Sequence, residues 1–100
     1  MVSHGFQPAL DWSAEGTIAL GYYTDPFANQ TSGSYTIARG TSVGALTPVR
    51  LQGTASDTTS SFVPFDKFGD YTGVTETNGI GYGVWTDNSS GTATVWLGHT

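Results

Sequence analysis

The residues of this chain most able to do chemistry are its loop carboxylates. Asp25, Asp57, Asp66, Asp70 and Asp87 all fall in polar or Gly-containing stretches. Such groups can hold calcium or accept hydrogen bonds from sugar hydroxyls. Their spacing lacks the Asp-x-Asp-x-Asp pattern of a calcium loop. A simpler role is local, with the carboxylate accepting turn amides, as Asp25-Pro26 and Asp87-Asn88 invite. The aromatics Trp12, Tyr22, Tyr23, Phe62, Phe65, Phe68, Tyr82, Trp85 and Trp96 are the second set. A flat ring can stack on the apolar side of a pyranose. Core packing is the expected role for most of them. His4 and His99 are terminal and isolated, and neither has a sequence partner for a metal. No metal and no cofactor is expected. Asn29-Gln30-Thr31 and Asn88-Ser89-Ser90 match glycosylation sequons, a pattern that chance readily produces in a Ser/Thr-rich chain.

These residues must be positioned by strands. The charged fraction is 11%, against roughly 25% in a typical soluble domain. Sixteen Thr, ten Ser and fourteen Gly fill the difference. Thr and aromatics favour strands, and Gly favours the tight turns between them. The pattern predicts strands over Phe6–Ser13, Thr17–Thr24, Tyr35–Gly40, Thr47–Gly53, Asp70–Glu76, Ile80–Thr86 and Thr92–Gly98. Thr17–Thr24 is nearly all apolar, as a strand covered on both faces should be. Pro48 suits an edge strand. Thr77-Asn78-Gly79 and Asp87–Gly91 read as turns, and Thr54–Gly69 as a long connecting loop. No helix is expected.

The net charge of −5, with only three basic residues, argues against a nucleic-acid module. No apolar run is long enough to cross a bilayer. No Lys/Arg-headed apolar leader is present, and the absence of Cys excludes disulfides and thiolate metal sites. An acidic, Thr-rich, disulfide-free β chain suits a bacterial extracellular or cell-surface setting.

An internal repeat organises the chain. Gly21-Tyr22-Tyr23-Thr24-Asp25 matches Gly83-Val84-Trp85-Thr86-Asp87 at an offset of 62 residues. The chain therefore reads as two copies of one all-β unit, each near the size of a propeller blade. Residues 1–53 form the first, 54–69 the connection, and 70–100 a second that lacks its outer strand.

The stretches Gln7-Pro8 … Asp11 … Gly16-Thr17, Phe68-Gly69-Asp70-Tyr71-Thr72-Gly73-Val74 and Tyr82-Gly83-Val84-Trp85-Thr86-Asp87 resemble the last two blades of bacterial sialidase-like (BNR-repeat) β-propellers. The family's Asp-box is degenerate or absent here, because Gly40–Thr47 carries neither its Asp nor its Trp. The resemblance implies that Asp70 begins an innermost strand, where propeller ligand sites lie. It also implies that Tyr71 with Glu76 echoes a sialidase nucleophile and its base. The three-arginine clamp of a sialidase is missing, since the chain has only Arg39 and Arg50. The expectation is a non-catalytic module, with Asp70, Tyr71, Asp66, Asp25 and Asp87 as candidate ligand residues and carbohydrate as the ligand class. Two blades cannot close a ring. A homo-oligomer is expected, with a trimer giving six blades. The alternatives are the C-terminal part of a sialidase-like hydrolase, or an engineered propeller without a ligand.

Overall fold

The structure is a computed structural model that describes residues 5–24, 32–57, 72–92 and 94–100. Among the described residues there is no helix. The strands are β1 (Gly5–Trp12), β2 (Ile18–Thr24), β3 (Ser32–Gly40), β4 (Thr47–Arg50), β5 (Ser56–Asp57), β6 (Gly73–Thr77), β7 (Ile80–Asp87) and β8 (Thr94–His99). They form two antiparallel sheets. Sheet I runs β1-β2-β3-β4, with β5 also pairing β3, and sheet II runs β6-β7-β8. The all-β expectation holds, and so does the strand order expected of each half.

Local chemistry explains most boundaries. Asn78 and Gly79 both have positive φ, 49° and 78°. They make the two-residue turn that best matches strand twist, and Thr77 pairs directly with Ile80. β2 is buried along nearly its whole length, as its apolar sequence requires. β4 is exposed at every position, and Pro48 within it fits an edge.

Most strand ends differ from the expectation by a residue or more, and in sheet I the largest differences lie at β3 and β4. The fourth strand ends at Arg50 rather than Gly53, and β3 starts at Ser32 rather than Tyr35. Gln52 is the physical reason. Its Oε1 accepts the Tyr35 N–H at 3.1 Å, and its Nε2 donates to Thr54 O and Ser56 Oγ, each at 2.8 Å. A buried side-chain amide thus bridges the ladder where the backbone leaves it. The ladder resumes at β5, which pairs Ser56 with Gly33 and Asp57 with Ser32. A short strand therefore lies inside the stretch expected as loop.

The two sheets stack face to face, with β1 and β2 beside β6 and β3 beside β7. Ala19, Tyr23, Tyr35, Ile37 and Trp85 form the core, with Leu51 and Val74 packed against it. The Tyr35 ring stacks on Trp85 at 4.9 Å and meets Tyr23 edge-on at 5.5 Å. Aromatic pairs of this kind add about 0.5–1.5 kcal/mol beyond their buried area. Tyr35 fits because its neighbours are glycines. A Cβ on Gly83 would lie 2.6 Å from Tyr35 Cε1, and a Cβ on Gly21 would strike its hydroxyl.

Gly21 and Gly83 are equivalent positions of the repeat, as are Tyr23 and Trp85. Both members of each pair point into the same layer. Tyr23 donates its hydroxyl to Thr86 O at 2.8 Å and accepts the Thr86 N–H at 3.0 Å. The two halves therefore meet through like faces.

Candidate functional site

Of the residues proposed from sequence as ligand-binding, Asp25, Asp66, Asp70 and Tyr71 lie outside the described residues. So do Phe62, Phe65 and Phe68, along with His4 and the Asn29 sequon. Asp87 is described. It ends β7, is buried, and accepts the Ser89 N–H at 2.7 Å through Oδ1. Ser56 Oγ approaches the same oxygen at 3.5 Å, and the Asn88 N–H donates to Ser56 Oγ at 3.2 Å. Together with Gln52 this makes a buried polar network that joins β5 of sheet I to the β7–β8 turn. Asp87 thus serves its own turn, the local role that its sequence context invites. Asn88 is only 6% exposed, so its sequon is closed to modification in the folded chain.

The site that the structure builds lies at the opposite end of the inter-sheet layer. Asp11, Arg39 and Glu76 come from β1, β3 and β6. Arg39 grips Glu76 with both arms, Nε to Oε2 at 2.6 Å and Nη2 to Oε1 at 2.5 Å. The Glu76 side chain is 1% exposed and that of Arg39 23%. Asp11 Oδ2 accepts the Glu76 backbone N–H at 2.7 Å and the Thr75 hydroxyl at 3.1 Å. The Glu76 backbone N–H is the main cause that holds the Asp11 carboxyl below its ordinary value, with the Trp12 amide and Thr75 adding to it. The side-chain hydrogen bonds to Glu76 raise the Arg39 guanidinium further.

Parity explains the convergence. Asp11 pairs Ala19 in β1–β2, and Ala19 pairs Arg39 in β2–β3, so all three share a face. Glu76 is on the face of sheet II that meets them. The bidentate fork is the strong geometry for an arginine–carboxylate pair. Its chemistry is that of a clamp. The Glu76 carboxylate, which the resemblance pairs with Tyr71 as an echo of a sialidase base, has both oxygens bonded to Arg39. Arg50 is also committed, with Nε to Gln52 O at 2.8 Å and Nη2 to Gly53 O at 2.5 Å.

Beside the clamp lies a shallow cleft of about 290 Å³ lined by Thr17, Arg39, Gly40, Thr41, Thr47 and Val49. Asp87, the one sequence-proposed ligand residue among the described residues, does not border it. Burial raises the tyrosines of the core. Tyr35 is pushed up to about 12, and Tyr23 is raised further still. Both are neutral packing groups at ordinary pH. Among the described residues no group of three or more His, Cys, Asp and Glu side chains could hold a metal ion.

The described aromatics range from buried to exposed, with Tyr82 half-buried. Tyr22, Tyr23 and Trp85 are buried, whereas Trp12 is 69% and Trp96 52% exposed. Sequence reasoning placed Tyr23 and Trp85 in the core correctly. It missed the Arg39–Glu76–Asp11 clamp. The available signal was a lone charge on the inward parity of three strands otherwise lined with apolar or small residues.

No family model, no curated protein and no solved structure matches the chain.

Proposed function

We propose that the chain is a non-catalytic β-sheet module that works by associating with further copies of itself. The observation that carries this reading is the apolar surface left on both sheets. Leu10, Trp12, Val84, Val95, Trp96 and Leu97 are all large, hydrophobic and exposed. A cluster of exposed apolar side chains such as Val84, Val95 and Leu97 on one face of sheet II marks an interaction site. The commitment of Arg39, Arg50 and Glu76 to internal bonds supports the non-catalytic part. Light scattering tests the proposal. The expected result is a mass above that of one 10.5 kDa chain that rises with concentration. A single-chain mass at every concentration overturns it.

A closed propeller ring is the second reading. Its support is the meander order of both sheets, with the first strands β1 and β6 side by side. Blades related by rotation about a ring axis present equivalent residues in the same rotational sense. Tyr23 and Trp85 instead face each other across one layer, which favours a two-fold-like stack. A mass of three chains would favour the ring, and a mass of two chains would speak against it.

A further inference from the structure

Among the described residues, the four outer edges of the two sheets are not alike. β1 carries Pro8 and an irregularity between Phe6 and Ala9, with Gln7 at a φ of 52°. β4 is four residues long and carries Pro48 and Arg50. β6 is five residues long and turns the Glu76 charge inward. Short strands, prolines, bulges and inward charges are the devices that keep sheet edges from pairing. β8 has none of them. Its sequence TVWLGH has no proline and no acidic, Lys or Arg residue, and its register with β7 runs unbroken from Thr94 to His99. Among the described residues no strand lies on its outer side.

The hydrogen-bond parity of that edge can be read directly. The Thr100 N–H donates to Gly81 O at 2.9 Å. Antiparallel ladders alternate between hydrogen-bonded and non-bonded pairs. Gly98 and Trp96 therefore aim their backbone groups at Gly83 and Trp85 of β7. Val95 and Leu97 aim theirs outward. The same two residues are 73% and 70% exposed, and Trp96 is 52% exposed.

We infer that β8 is a self-complementary docking edge that pairs antiparallel with β8 of a second copy, centred on Trp96. This rests on the self-association reading and names the surface that performs it. In that register Val95 faces Leu97 of the second copy and Leu97 faces its Val95. Both make reciprocal backbone hydrogen bonds, because both point outward. Their side chains meet as aliphatic pairs on one face, and the two Trp96 rings meet on the other. The chain carries a net charge of −5, so two copies repel over most of their surface. β8 has no carboxylate, so this edge adds nothing to that repulsion. The pairing extends the β6-β7-β8 sheet across a two-fold axis, the commonest oligomer symmetry.

The test uses the absence of native cysteine. Trp96 sits on the proposed axis, where a non-bonded pair brings its two Cα atoms to about 4.5 Å. That distance suits a disulfide. Trp96→Cys is expected to form covalent dimer under mild oxidation at least about tenfold faster than Val49→Cys on the guarded edge β4, because pairing raises the local thiol concentration. Equal rates overturn the inference. Hydrogen exchange of the unmutated chain guards against a misfolded variant. The Val95 and Leu97 amides should be protected at high concentration and exchange quickly at low concentration. An oligomer by light scattering whose Val95 and Leu97 amides exchange quickly at every concentration sinks the edge pairing and leaves self-association standing. A monomer at all concentrations sinks both.

Discussion

Trp85 and Trp96 face each other on one rung of the β7–β8 ladder. Trp85 is 3% exposed and stacks on Tyr35, whereas Trp96 is 52% exposed. Both are on the face of sheet II turned toward sheet I. The difference is reach. The strands β1, β2 and β3 pack against β6 and β7, and β8 lies one strand further out. One strand spacing, roughly 4.8 Å, separates a closed core from an open edge. The lesson is that a residue's type and its rung do not decide its role. The opposing layer does.

Substitutions should separate the two regions, and the largest effect is expected in the closed layer. Trp85→Ala removes the stack on Tyr35 and should cost about 3–5 kcal/mol in chemical denaturation. Trp96→Ala, measured where the chain is dilute, should stay within about 0.5 kcal/mol, as surface changes do. Equal losses would erase the distinction. Gly83→Ala comes next. Its Cβ would press on the Tyr35 ring, and overpacking of that kind costs about 1–3 kcal/mol. A neutral result would mean that Tyr35 has room to move.

Glu76→Gln should cost about 2 kcal/mol, the scale of hydrogen bonds to a charged group. Arg39 is partly open to water and recovers some solvation, so the loss falls below that of a fully buried pair. Arg39→Lys should recover little, because an ammonium cannot reproduce the fork. Full stability in Arg39→Lys would show that the charge matters and the geometry does not.

The smallest effects are those of pH. The folded state lowers the Asp11 carboxyl below its ordinary value of 3.8. Its stabilisation is therefore complete above that value and is lost as the pH falls through the lowered one. Asp11→Asn should flatten that acid limb of the stability curve. The folded state raises Tyr23 above its ordinary value of 10.0, chiefly by burial. Its contribution is complete below pH 10.0 and fades as the pH rises beyond it. Tyr23→Phe should shallow the alkaline limb.

Much of the fold was legible in the residues. Thr17–Thr24 read as a doubly covered strand, Pro48 marked an edge, and Asn78-Gly79 marked a tight hairpin. These signals are local, so a single sequence carries them. Gln52 was not legible, because its amide acts by replacing a backbone ladder whose other members are distant in sequence. The clamp shows the same limit. Asp11, Arg39 and Glu76 are ordinary charges in three separate strands, and only the stacking of two sheets brings them together. The repeat was visible as well, but not its sense. Its match of Tyr23 with Trp85 is compatible with a rotational ring or with two like faces, and the choice depends on packing that no local pattern encodes.

If the exposed apolar edge at β8 is covered by another copy of the chain, the mass in solution must depend on concentration. Light scattering across a concentration series tests it most directly. The expected mass climbs from one chain toward two as concentration rises, and a Leu97→Lys variant stays at one chain. A wild-type chain that remains single at every concentration would contradict it.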